Sequence, residues 1–176
     1  MAGYSGTPLA KKLGIKPGHV VVVTGETPAS FEGSLDLPEG ARVFRQLRPA
    51  PVDVTVLFVD RVAELERRMG ELLVRLHPAG GFWVAWPKKA SRRSTDITED
   101  VVRRIGLAGG LVDNKVCAID DTWSGLRLVV RVENREAVAY RAEPSPTAAL
   151  RRRRTTATPR AAAGSTQRRA LARSSR

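Results

Sequence analysis

Four cationic side chains, Lys88, Lys89, Arg92 and Arg93, fall within six residues, with Ser91, Ser94 and Thr95 close by. They follow the apolar run Gly80–Trp86 and Pro87, which reads as a fully buried strand leaving through a residue that cannot donate to a ladder. Cations and hydroxyls in a loop after a strand could receive an anion, because open α/β sheets bind ligands at that edge. A plainer alternative stands beside this. Asp96, Glu99 and Asp100 follow at the start of a helix, and those carboxylates could satisfy it and leave the loop solvated.

The remaining candidates for chemistry have simpler explanations. Asp60 ends a strand where a functional acid would sit, and it could equally cap the helix that follows. Asp120, Asp121 and Trp123 crowd into one short turn, where Asp serves local backbone bonding. His19 and His77 stand alone and no Cys or His sits at metal-ligand spacing, so no metal site is expected. Cys117 lies inside a strand pattern and reads as buried filler. Trp83 and Trp86 alternate to opposite faces of their strand. No nucleophile–base pair can be assembled, so no catalytic residue is named.

Several elements must position these groups. His19–Thr24 is an uninterrupted β-branched run, the pattern of a strand covered on both faces. Ala41–Leu47 alternates like an edge strand, and Val54–Val59 follows after Pro49 and Pro51. The short spacing leaves open whether this region is irregular or the Pro-rich link runs extended across one end of the sheet. Arg61–Leu76 carries Val62, Leu65, Met69, Leu72, Leu73 and Leu76 on one helical face and ends at His77-Pro78. Asp96–Ala108 reads as a helix opened by an Asp96/Glu99 capping box and stopped by Gly109-Gly110. Leu111–Ile119 and Leu126–Val132 bracket a loop short enough for an antiparallel hairpin. Near the start, Thr7 is placed to cap a short helix that begins at Pro8 and stops at Gly14. The expected fold is a three-layer Rossmann-like α/β domain over residues 4–135, its mostly parallel sheet ending in an antiparallel hairpin.

Charge is distributed unevenly over the 176 residues and the net +12. Through Tyr140 there are twenty Lys and Arg against seventeen Asp and Glu; from Arg141 onward ten Arg face the single Glu143. Residues 141–176 hold Ala, Arg, Ser, Thr and Pro with few large apolar side chains, a composition that predicts disorder. Arg151, Arg152, Arg153, Arg154, Arg168 and Arg169 are candidates for contacting nucleic-acid phosphates without sequence preference. No aromatic residue is interleaved there to stack on bases. The single cysteine, and the lack of an apolar leader or membrane-length run, fit a cytoplasmic protein without a membrane partner.

The stretches Tyr4-Ser-Gly-Thr-Pro-Leu-Ala-Lys-Lys-Leu-Gly-Ile-Lys-Pro-Gly18, Gly81–Ser91, Thr98–Val102 and Asp120-Asp-Thr-Trp-Ser-Gly-Leu-Arg127 resemble a family of small actinobacterial proteins catalogued as a domain of unknown function. That resemblance covers about residues 1–132 and implies a cytoplasmic α/β domain without supplying a site. The strand–helix–turn–strand–helix–hairpin order, with Leu76-His-Pro-Ala-Gly-Gly-Phe-Trp-Val84, also resembles the second half of S-adenosylmethionine-dependent methyltransferases. Those enzymes carry a glycine-rich loop after the first strand and an acidic ribose ligand after the second. Here Gly25-Glu-Thr-Pro-Ala-Ser-Phe-Glu-Gly33 lacks that spacing, and Glu26 would repel a pyrophosphate. The sequence therefore predicts no bound cofactor, neither S-adenosylmethionine nor a dinucleotide. It places a non-catalytic binding or regulatory domain first, a divergent methyltransferase-like enzyme second, and nucleic-acid binding through the tail third.

Overall fold

A computed structural model describes residues 6–49 and 51–142, with side chains described to residue 138. Six strands form one sheet: β1 (Val20–Gly25), β2 (Arg42–Phe44), β3 (Val52–Phe58), β4 (Leu76–Pro87), β5 (Leu111–Ala118) and β6 (Trp123–Val130). Their order is β2-β1-β3-β4-β6-β5. The first four are mutually parallel, and β6 runs antiparallel to both β4 and β5. The chain is thus a Rossmann-like α/β domain closed by an antiparallel hairpin, as its pattern of elements predicts.

The link from β2 to β3 has a simple geometric solution. Val22 lies level with Phe44 on one side and Thr55 on the other, while β3 begins at Val52. The return is therefore about 10 Å along the sheet and two strand spacings, about 10 Å, sideways. Residues 45–51, at about 3.3 Å each, reach that far without a helix. The short edge strand is what permits the short crossover.

Helix α2 (Val62–Leu73) buries Leu65, Met69 and Leu72 on one face of the sheet. Val102 of α3 (Glu99–Ala108) joins them, and Val138 of α4 (Arg135–Ala142) packs against the same core beyond the expected boundary at 135. The opposite face is covered more thinly. Ala10 and Leu13 of α1 (Leu9–Leu13), then Ile15, Phe31 and Leu35, meet Val21, Val23, Val54, Val56, Phe58, Trp83 and Trp123. Trp86 joins the first cluster and Trp83 the second, on opposite faces as alternation requires. The Trp83 indole N–H donates to Leu13 O at 2.9 Å, fastening the end of α1 to the sheet.

Some helix ends differ from expectation. α2 stops at Leu73, and Leu76-His77-Pro78 already belongs to β4. Pro78 is tolerated because Val52 pairs with Leu76 and Val54 with Gly81, five steps against two, leaving a three-residue bulge. Asp60 does not cap α2. The Val62 N–H donates instead to Asp96 Oδ1 at 2.8 Å, from the loop before α3. Thr98, not Asp96, caps α3 by accepting the Val101 N–H. Asp96 precedes the first helical residue by three positions and is held against the α2 start through Asp60 O, so its carboxylate serves the neighbouring helix. In α1, Pro8 occupies the cap position and no side chain caps it. The tail arginines 151–154, 168 and 169 lie outside the described residues.

Candidate functional site

The connection after β1 supplies Phe31 and Leu35 to one face, whereas α2 after β3 covers the other. Neighbouring strands whose connections leave to opposite faces open a crevice at their carboxyl ends, the usual ligand position of such sheets. β1 reaches it through Gly25, at φ +84. A Cβ there would stand 2.0 Å from Phe58 O, so glycine alone lets the Glu26 N–H donate to that carbonyl at 2.9 Å. β1 is thereby closed onto β3, with the Glu26 N–H engaged. The Glu26 carboxylate projects over the crevice.

β3 brings Asp60, whose side chain is about one-fifth exposed. Its carbonyl accepts the Thr95 hydroxyl at 2.8 Å, which fixes the segment before α3 against the crevice. β4 leaves at Pro87. Lys88 then donates its N–H to Thr122 O at 2.7 Å and its ammonium to Asp120 O at 2.6 Å. One 3-10 turn, Lys89–Ser91, is closed by the Ser91 hydroxyl on Lys88 O. Arg92 adopts φ +58, a left-handed backbone rare outside glycine, and the chain doubles back.

That turn delivers Arg93 into the crevice. Its guanidinium pairs with Glu26, lies 3.7 Å from Asp60 and sits 5.0 Å above the Trp123 ring. Trp123 is fully buried beneath, edge-on to Phe58, which meets Phe31 in the same way. Two carboxylates and an indole face make a cation-recognition set, and the protein's own arginine fills it.

The four basic residues of the anion candidate are thus divided. Arg93 faces the β1/β3 crevice and Arg92 forms the reversal. Lys88 and Lys89 line a separate cleft of about 500 Å³ with Trp86, Thr95, Thr98 and Ser124. Asp120 Oδ1 accepts the N–H groups of Thr122 and Trp123, the local role read from the sequence. Cys117 packs against the second core cluster; burial raises its thiol pKa, with Lys115 and Lys12 opposing. Among the described residues no group of His, Cys, Asp and Glu could hold a metal ion. Sequence reasoning missed the joining of Glu26 with Asp60, because they are brought together only by strand pairing across 34 residues.

This arrangement defines a Rossmann-like domain with a carboxylate–aromatic crevice. No family model matches the chain, and no curated protein matches it. Among solved structures it is similar to fibrillarin from Aeropyrum pernix with natively bound S-adenosyl-L-methionine, at 14% identity and TM-score 0.49 over 70% of this chain and 69% of that one. It is similar to a SAM-dependent methyltransferase from Aquifex aeolicus, at 15% identity and TM-score 0.48 over 69% and 88%. Magnesium protoporphyrin IX methyltransferase from Synechocystis PCC 6803 with bound SAM matches at 13% identity and TM-score 0.47 over 65% and 71%. These are likenesses of fold alone.

Proposed function

We propose that the domain binds a small cationic ligand of the S-adenosylmethionine type in the β1/β3 crevice, as a divergent methyltransferase-like domain in which Arg93 occupies the site until displaced. The observation that carries this is the guanidinium held by Glu26, Asp60 and the Trp123 face. The missing glycine-rich loop and the charge of Glu26 argue against phosphates. They do not argue against a sulfonium, which a carboxylate pair and an aromatic face attract. Arg93 and Glu26 are each more than two-fifths exposed, so their pairing is cheap to break. An exposed pair is worth about 0.2–1 kcal/mol, a factor of roughly 1.4 to 5 in affinity.

Calorimetry with S-adenosylmethionine and its neutral-sulfur product S-adenosylhomocysteine tests the reading. The sulfonium should bind more tightly, Arg93→Met should increase its affinity several-fold, and Glu26→Gln should weaken it. Equal affinity for the two compounds, or none in Arg93→Met, would overturn it.

A second reading has its own support. The Gly25–Phe58 closure leaves no room for a side chain and uses the Glu26 N–H internally. On this view Arg93 is a permanent plug in a non-catalytic binding or regulatory domain. No helix among the described residues is long and apolar enough to cross a membrane, and we place the protein in the cytoplasm on its single cysteine. For the tail, nine net positive charges favour non-specific nucleic-acid contact. Removal of residues 143–176 should abolish that affinity in a filter-binding titration. Retention by the truncated protein would exclude the tail as its seat.

A further inference from the structure

On the Trp83 face of the sheet, Arg127 of β6 lies directly across β4 from Trp83 and across β5 from Lys115. Directly opposed residues of an antiparallel pair share a face, and like charges so placed destabilise the pair. Lys115 is exposed and donates to Lys12 O at 2.7 Å, which leaves it two further donors. Arg127 is half-buried and its Nε is buried without an acceptor among the described residues. Among the described residues its side chain reaches one acceptor, Nη1 to Asn114 Oδ1 at 3.5 Å, the far limit of a hydrogen bond.

Among the described residues no carboxylate pairs with this charge. The carboxylate of the neighbouring strand, Asp113, is engaged by Arg103 at 3.1 Å. Desolvation, and then Arg135, lower the Arg127 pKa. The backbone is shaped around the guanidinium as well. A Cβ on Gly81 would stand 2.4 Å from Nε, and one on Gly14 would touch the same group at 3.9 Å. The fold thus clears space for a half-buried cation, opposes it with a second, sets a third nearby and supplies no counter-charge among the described residues.

We infer that Arg127 and Lys115 bind a phosphate-type oxyanion. The Nη groups of the half-buried Arg127 and the exposed Lys115 ammonium supply donors together, a match for a multiply charged oxyanion rather than a monovalent carboxylate. This site is independent of the β1/β3 crevice, and a failure of ligand binding there leaves it untouched.

The probe is inorganic phosphate, titrated into the full-length protein at constant ionic strength while the Arg127 Nε–H resonance is followed by NMR. Saturable movement with a dissociation constant on the order of 1 mM is expected. Acetate at the same concentrations should move the signal at least several-fold less. Lys115→Gln, at an exposed position, should weaken phosphate at least threefold, and Arg127→Met should abolish the phosphate-dependent rise in melting temperature. A Lys88→Ala/Lys89→Ala protein should keep it. No saturable movement, equal movement with acetate, full affinity in Lys115→Gln, an undiminished thermal shift in Arg127→Met, or its loss in the Lys88/Lys89 variant would each overturn the assignment.

Discussion

Arg93 and Arg127 belong to the same side of one sheet and meet opposite fates. Arg93 comes from a loop, is about two-fifths exposed, and has two carboxylates and an indole around it. Arg127 comes from the middle of a strand, is half-buried, and faces cations. A loop cation can turn toward whatever carboxylates lie near, because its backbone is not committed to a ladder. A strand cation takes the direction that register dictates, and here register sets it opposite Lys115. The comparison shows that satisfaction of charge is no guide to usefulness. On the two proposals made above, the satisfied arginine occupies a ligand site and the unsatisfied one receives an oxyanion.

The strongest way to break the contrast is to remove the surface beneath Arg93. Trp123→Ala deletes a fully buried indole from a well-packed cluster and should cost about 3–5 kcal/mol of stability by urea denaturation. A cost below about 1 kcal/mol would mean that the platform is not packed as described.

The packing around Arg127 can be sharpened by Gly81→Ala. Its new methyl would meet the guanidinium, the far end of a flexible side chain that can shift, so a loss of no more than about 1 kcal/mol is expected. Combining it with Arg127→Ala should recover most of that loss, because the obstruction is then gone. Additive losses would show that Gly81 is required for another contact.

A smaller and more telling difference concerns the two arginines themselves. Arg93→Met should destabilise by about 0.2–1 kcal/mol, the worth of exposed pairs. Arg127→Met, measured without phosphate, should be neutral or stabilising, since it removes a half-buried charge that pairs with no carboxylate among the described residues. Reversal of that order would dissolve the comparison.

The smallest effect is kinetic. Cys117, two residues from Lys115 on β5, has its thiol pKa raised chiefly by burial. Its native form is held neutral, so this contribution to stability is complete below the ordinary thiol pKa and lost as pH rises through the higher native value. Alkylation by iodoacetamide at pH 8 should be slower in the native protein than in urea. Equal rates would indicate an open thiol.

Much of the fold was legible from the chain itself. Val21–Val23, Val56–Phe58 and Phe82–Trp86 are apolar and buried on both faces, and only a strand covered on both sides buries such a run. The stripe Leu65, Met69 and Leu72 similarly forces a helix against that sheet. These patterns repeat over two or 3.6 residues, so each is complete within its own segment. The turn role of Asp120 was legible for the same reason, since its bonds reach only two and three residues away.

The site was not legible in this way. Glu26 meets Arg93 across 67 residues, and Asp96 meets the start of α2 across 34. The helix-cap readings of Asp60 and Asp96 followed sound local rules, yet a loop packed across two elements moved the cap from one carboxylate to the other. Lys115 faces Arg127 only because the β5–β6 hairpin pairs in that register, with an irregularity between Asp113 and Lys115. Periodicity determined which residues are buried, because burial follows from the regular alternation of a single element. Which charges meet was decided by tertiary structure alone, because strand order and register join positions whose separation along the chain carries no record of their distance in space.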